Sequence, residues 1–219
     1  MHKKRVMRVY QFLEKHWAME SLLYQRLKIS LFNEMNDPFE LLGVSLKKKA
    51  DRADFNQLKK EVSEEMGAVC FSKKWSSPVL WSHYGERHKG VALGFDVPAE
   101  HVHEISYTGS RLEEELIKGF EEEKDDLSLK LLTTKYEHWI YEDEVRMLIN
   151  LSDTVYEEGK HFLPYCDALK LKEVIIGPRC NLTKEHLLQI SLANSHNIKI
   201  TKSRLAFQSF KVVPNRRYK

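Results

Sequence analysis

Residues 70–96 read CFSKKWSSPVLWSHYGERHKGVALGFD, and three local signals follow one another along that stretch. Cys70-Phe71-Ser72 closes a short apolar run, Ala68–Ser72, which predicts a compact buried strand. Pro78, whose fixed φ suits a first helical turn, opens a short helix through Tyr84, and Gly85 closes it. Val91–Asp96 is apolar at nearly every position, which predicts a strand buried on both faces and therefore central in its sheet. With helices inserted among the strands along the rest of the chain as well, the expected class is α+β.

Outward from this segment the chain switches repeatedly between the two periods. Val6–Phe12 predicts a first strand, His16–Tyr24 a short helix and Leu27–Leu31 a strand of period two. Asn36-Asp37-Pro38-Phe39-Glu40 is turn chemistry, because Asn and Asp bond their own backbone and Pro fixes φ. The same loop is a candidate to line a pocket. Asp51–Met66 sets Phe55, Leu58, Val62 and Met66 along one helical stripe that Gly67 ends. His101–Tyr107 and Val145–Ile149 predict strands, with a helix over 111–132 between them. Leu171–Ile176 predicts a strand stopped by Gly177-Pro178, and Thr183 caps a helix reaching Ala193. Ile198–Thr201 and Phe207–Val213 predict the closing strands. No repeat, low-complexity tract or linker interrupts the run. Residues 1–219 are therefore expected to form a single domain, a bent or split, mostly antiparallel sheet with peripheral helices.

Composition bounds the partners. A chain of 219 residues with 42% hydrophobic and 31% charged residues reads as soluble and globular. No run approaches the roughly 20 apolar residues of a membrane span, so no membrane partner is expected. The basic start lacks the apolar stretch of a secretory signal. Cys70, Cys166 and Cys180 are odd in number and far apart, which predicts reduced thiols and a cytoplasmic location. The net charge of +3 hides an uneven distribution. Lys3, Lys4, Arg5 and Arg8 at one end, and seven basic residues within 199–219 at the other, meet no acid. Such ends suit a polyanion, nucleic acid above all. They equally suit solvated tails that balance the acidic stretch Glu113–Asp126.

Two clusters carry candidate chemistry. Ser72 ends a buried strand where its side chain can enter a cleft. Trp81, His83 and Tyr84 follow it closely, a set suited to stacking on a flat ring or holding a phosphate. They suit an aromatic mini-core as well. The second cluster is Trp139-Ile140-Tyr141-Glu142-Asp143-Glu144-Val145-Arg146. If this segment is extended, Glu142, Glu144 and Arg146 share one face. Two carboxylates so placed repel, so one is expected to hold a proton or to accept a ligand hydroxyl. An ordinary ion pair between Arg146 and Glu144 is the other reading. No CxxC, HExxH, glycine-rich phosphate loop or nucleophile elbow occurs, so neither a metal nor a permanently bound cofactor is expected.

The order of these strings resembles a known family. Tyr10, Asn36-Asp37-Pro38-Phe39-Glu40, Cys70-Phe71-Ser72, Trp81-Ser82-His83-Tyr84 with His88-Lys89-Gly90, Phe95-Asp96 and Trp139-x-Tyr-Glu-x-Glu-x-Arg146 run as in the bacterial domain of unknown function 2971. Ile176-Gly177-Pro178-Arg179 resembles that family too, so the likeness extends over almost the whole chain. It implies no established reaction.

A second resemblance, to ADP-ribosyltransferase folds, rests on an early-strand residue, a central strand ending in serine and a late Glu-x-Glu. It implies a split sheet that grips NAD as a co-substrate. Ser72 is then the middle-strand serine, Glu144 the catalytic glutamate and Glu142 the upstream acid of the pair. Arg8 or Tyr10 takes the early-strand position, and Trp81, His83, Tyr84 and Arg146 complete the nucleotide-binding set. The chain departs from that pattern in lacking a Ser-Thr-Ser motif. The expected activity is transfer of ADP-ribose from NAD to a protein or nucleic acid. The alternative is a nucleic-acid-binding or nucleotide-sensing protein without transferase activity, acting in phage defence. The oligomeric state is left open.

Overall fold

Val91–Pro98 forms strand β5, buried at nearly every position and central in its sheet. On one side it pairs antiparallel with β1 (Val6–Leu13), from Val6↔Pro98 to Leu13↔Val91. On the other it pairs antiparallel with β12 (Lys170–Ile176), with one irregularity between Leu171 and Glu173. Gly94 lets the Tyr10 ring lie across the strand, because a Cβ there would come within 2.9 Å of Tyr10 Cε1. The computed structural model describes residues 5–41, 43–45, 49–111, 124–183, 185–187 and 198–217.

The main sheet continues from β12 to β13 (Lys199–Leu205), which runs parallel to it, and then to β14 (Val212–Pro214), which is antiparallel. On the far side of β1 come β4 (Met66–Ser72), β9 (Glu144–Asn150) and β6 (His103–Glu104), all antiparallel, and β3 (Ser30–Leu31) also pairs with β4. A single register pair, Tyr10↔Ser72, joins β1 to β4. Seven pairs join β4 to β9. The sheet is thus two well-laddered halves that meet at one rung, and the α+β class with a split, mostly antiparallel sheet holds.

Short elements flank the split. β2 (Arg26–Lys28) pairs with β11 (Lys160–Pro164), which pairs with β10 (Val155–Glu157). β7 (Ser106–Thr108) runs parallel to β8 (Thr134–Tyr136). The strand expected over Leu27–Leu31 is divided between β2 and β3, because buried Ile29 turns between two sheets and packs over Gly67.

Helix α1 (Lys15–Tyr24) packs beside β1 and β2 and ends at Gln25, whose φ of 50° is left-handed. Helix α2 (Lys49–Glu65) presents the predicted stripe. Phe55 is buried against Phe32, Leu41, Leu131 and Leu132, with Leu58, Val62 and Met66 packed alongside. Helix α3 (Pro78–His83) begins as the sequence predicts, with the Leu80 N–H donating to Ser77 Oγ at 3.4 Å. Its exit differs. Gly85 is spared a side chain because Trp81 Cε3 lies 2.7 Å from where a Cβ would sit, and Glu86, Arg87 and His88 take the left-handed conformation instead.

Of the helix expected over 111–132, α4 (Lys124–Leu132) is described and 112–123 lie outside the described residues. So do the acidic clusters Glu113–Glu115 and Glu121–Glu123, the basic residues Lys3, Lys4 and Lys219, and most of the expected helix from Thr183 to Ala193. Its cap is visible, since the His186 N–H donates to Thr183 Oγ1 at 3.3 Å. The closing strand expected over Phe207–Val213 starts later, at Val212. The residues before it form the turn between β13 and β14.

Trp81 is fully buried among Ala92, Ile175 and Val212, and its Nε1–H donates to the Trp75 carbonyl at 2.7 Å. It is core, which corrects the expectation that it holds a ligand. Trp81→Ala should cost about 3–5 kcal/mol in urea unfolding, as large-to-small core changes do. Exposed His83→Ala should stay within about 0.5 kcal/mol of the parent.

Candidate functional site

Directly opposed residues of paired strands point to the same face of a sheet. Tyr10 opposes Ser72, and Ser72 opposes Glu144, so the three form a row across β1, β4 and β9. Arg146, two residues beyond Glu144, lies on that face opposite Cys70. Past the row, β1 and β4 diverge, and a cavity of about 300 Å³ opens between them. Its walls include Gln11, Phe12 and Leu13 from β1, Cys70 and Phe71 from β4, and Trp17 from α1. Asn36, Asp37 and Glu40 of the turn loop also line it, as do Tyr84, Lys135, Trp139 and Glu142.

The charged side of the cavity is a connected network. Arg146 has no exposed side-chain surface. It donates from Nη1 and Nη2 to the two oxygens of Glu40 at 2.5 and 3.0 Å, and from Nε to Glu144 Oε1 at 2.7 Å. Its Nη1 also donates to the Leu132 carbonyl at 2.8 Å. Lys135 Nζ donates to Glu144 Oε2 at 3.0 Å and to Glu142 Oε2. Tyr84 Oη donates to Glu142 Oε1 at 2.5 Å, and the Glu144 backbone N–H donates to Tyr107 Oη at 2.9 Å. Asp37 fixes the loop that carries Glu40 by accepting the Phe39 N–H at 2.9 Å, and Lys59 Nζ holds the Glu40 carbonyl.

The two glutamates titrate apart. Burial works to raise Glu144, but the Arg146 and Lys135 cations outweigh it and hold the carboxyl at about 2. Burial raises Glu142 above its ordinary value despite Lys135 and the Tyr84 hydrogen bond. The same burial, with Glu142 beside it, pushes Tyr84 far up. Tyr10 is pushed up to about 12, by burial first and then by Glu173, to which its hydroxyl donates at 3.1 Å. A pair of carboxyls separated in this way by environment is a recurrent arrangement for acid–base work.

Several expected site residues are thus brought together and others are not. Tyr10, Ser72, Tyr84, Glu142, Glu144 and Arg146 line one cavity. Arg8 does not: it pairs with Asp96 at 2.6 Å and reaches Glu173 at 3.4 Å. His83 lies outside the cavity, exposed and stacked on Tyr141. Glu142 is not on the strand face with Glu144. It ends a 3₁₀ turn, Glu137–Glu142, and left-handed Asp143 (φ 48°) separates it from β9. The repulsion expected between the two carboxylates is met by a lysine placed between them. Lys135 and Glu40 carry as much of the network as the expected residues. The Asn-Asp-Pro turn pointed to Glu40, whereas no local pattern marks Lys135. Among the described residues, no three His, Cys, Asp or Glu side chains gather to hold a metal ion.

Residues 80–147 match the model of a family described as Protein of unknown function (DUF2971). The match holds Trp81-Ser82-His83-Tyr84, β5 and the Glu142–Arg146 segment, and so spans α3 to the start of β9. It is narrower than the resemblance read over almost the whole chain, since the Asn-Asp-Pro loop and Ile176–Arg179 fall outside it. Neither curated proteins nor solved structures match the chain significantly. No helix among the described residues is long and apolar enough to cross a membrane.

Removing Arg146 leaves Glu40 and Glu144 buried without their shared cation. Breaking a buried pair from one side costs about 3–5 kcal/mol. Arg146→Met should lose stability on that scale in urea, and Arg146→Lys should not restore it, because the single nitrogen of a lysine cannot replace three guanidinium nitrogens that reach both Glu40 oxygens, Glu144 and the Leu132 carbonyl at once. Glu144 also sets a pH dependence. Its folded value of about 2 lies below the unfolded value of about 4.3. The stability it contributes is therefore complete above the unfolded value and is lost as the pH falls through about 2. Melting temperature followed from pH 5 downward should fall less steeply in Glu144→Gln than in the parent.

Proposed function

We propose that the cavity takes a nucleotide-type ligand and that the chain is an ADP-ribosyltransferase-like enzyme using NAD as co-substrate. The observation that carries this reading is the row Tyr10–Ser72–Glu144 at the rung where the sheet splits, opening on a cavity with two carboxyls held in different protonation tendencies. The residues present fit such a ligand. Phe12, Trp17, Tyr84 and Trp139 give the lining aromatic surface for a base, and the carboxylates offer acceptors to ribose hydroxyls.

Each side chain then has a task. Glu144, kept anionic by Arg146 and Lys135, stabilises the positive charge that grows at the anomeric carbon as its bond to the nicotinamide nitrogen breaks. The leaving nicotinamide takes the bonding pair and departs neutral. The acceptor's lone pair forms the new bond to the anomeric carbon, and Glu142, whose affinity for protons is raised, receives the acceptor's proton. Ser72 and Tyr10 hold the ligand at the rung between the two halves.

One observation favours the second reading, a nucleotide sensor without turnover: both oxygens of Glu144 are already engaged by Arg146 and Lys135. The two readings separate in one assay. The chain is incubated with NAD carrying a labelled nicotinamide and, in parallel, with labelled adenylate plus candidate protein and nucleic-acid acceptors. Release of free nicotinamide with label transferred to an acceptor is expected. Glu144→Gln should slow release by about 100-fold or more while NAD still raises the melting temperature. NAD recovered intact alongside a thermal shift would sink the transferase reading and leave the sensor.

A further inference from the structure

The turn between β13 and β14 carries two aromatic side chains that the fold does not use. Phe207 is 91% exposed and Phe210 99% exposed, and Leu205 beside them is 55% exposed. The turn is nonetheless held in place. The Ala206 N–H donates to the Lys211 carbonyl and the Lys211 N–H to the Ser209 carbonyl, both at 2.9 Å. At its base, Val212 is fully buried against the Trp81 cluster, and its N–H donates to the Ser76 carbonyl at 2.9 Å. Rings displayed on a rooted turn lose little freedom when they meet a partner.

The charge around them selects the partner. No acidic residue occurs from 199 to 217, while Arg204 and Lys211 flank the turn, and Arg216 and Arg217 follow β14 at the other end of the hairpin, past Asn215, whose N–H donates to the Lys202 carbonyl. The Arg204 guanidinium sits 4.7 Å from the Phe207 ring centre, a cation beside a stacking surface. Polar Gln208 and Ser209 lie between the two phenylalanines, so the apolar run of the turn is interrupted. Basic side chains interleaved with exposed aromatic rings are the chemistry that holds single-stranded nucleic acid, whose bases are unstacked and whose backbone is anionic. In a duplex, those base faces are already covered.

We propose that the β13–β14 turn is a docking surface for single-stranded nucleic acid, with Phe207 and Phe210 stacking on bases and Arg204 and Lys211 contacting phosphates. It does not rest on the chemistry assigned to the cavity. The test is fluorescence anisotropy of the whole chain with labelled oligothymidylate, oligouridylate and a duplex, over a range of salt. Single strands are expected to bind in preference to the duplex, with log affinity falling about 0.7 per log unit of salt for each phosphate neutralised. The Phe207→Ala/Phe210→Ala double variant should melt as the parent does and bind about tenfold or more weakly. Arg204→Gln/Lys211→Gln should flatten the salt slope. Absence of single-strand binding, equal affinity for the duplex, or unchanged affinity in the double phenylalanine variant would each overturn the proposal. So would phenylalanine-dependent binding to anionic lipid vesicles, or phenylalanine-dependent self-association, without nucleic-acid binding.

Discussion

A guanidinium group with no exposed side-chain surface needs every donor matched, and Arg146 finds its partners in three separate parts of the chain. Glu40 comes from the loop after β3, Leu132 from the end of α4, and Glu144 from the start of β9. Burial of the cation thus ties the turn loop, a helix terminus and the sheet into one arrangement. The charges inside do not balance among the described residues, where the carboxylates of Glu40, Glu142 and Glu144 pair with two cations, Arg146 and Lys135. A buried cluster with one surplus negative charge favours taking up a proton. The cost falls on Glu142, which shares only Lys135, while Glu144 touches both cations. The difference between the two carboxyls is therefore a consequence of how one arginine is satisfied.

The split of the sheet places that network against open space. β1 is committed to β5 along its full length, and β4 to β9 along its own, so each half is stable through its own ladder. The single rung between them keeps Tyr10 and Glu144 on one surface at a fixed lateral separation, two strands apart. With more rungs the cavity would be filled by backbone. With none, the carboxylates and the Tyr10 face would not be registered to one another.

Much of this was legible in local pattern. Val91–Asp96 reads as a central strand because two-sided burial leaves no polar alternation. Ser77-Pro78 marks a helix start by its own chemistry, and Phe55, Leu58 and Val62 disclose one face of α2. Ser72 and Glu144 stood out as polar residues at strand ends. What stayed hidden depends on contacts between distant parts of the chain. Lys135 is one lysine in a highly charged sequence, and only the packing of β8 against the Glu137–Glu142 turn, next to the start of β9, gives it two carboxylates. Glu40 meets Arg146 across 106 positions. Glu142 looked extended because alternation with Glu144 and Arg146 mimics a strand, but left-handed Asp143 breaks the period. Trp81 and His83 part company because a six-residue helix turns one ring inward and the other outward, a difference the motif alone does not show.

Strand edges are usually a hazard, because their unpaired N–H and C=O groups invite another chain to add on. The divergence of β1 from β4 creates two such edges inside one molecule. β3 covers the Gly67–Ala68 part of β4, and the Tyr10↔Ser72 rung closes the other end, so the uncovered length is Val69–Phe71 facing Gln11–Leu13. A stretch that short, enclosed by α1 and the Asn-Asp-Pro loop, has no room for an incoming strand. Templated aggregation is blocked at this gap by geometry alone, without the lysines or prolines that guard outer edges. The same backbone groups remain available to a small molecule, whose polar atoms can satisfy them one at a time.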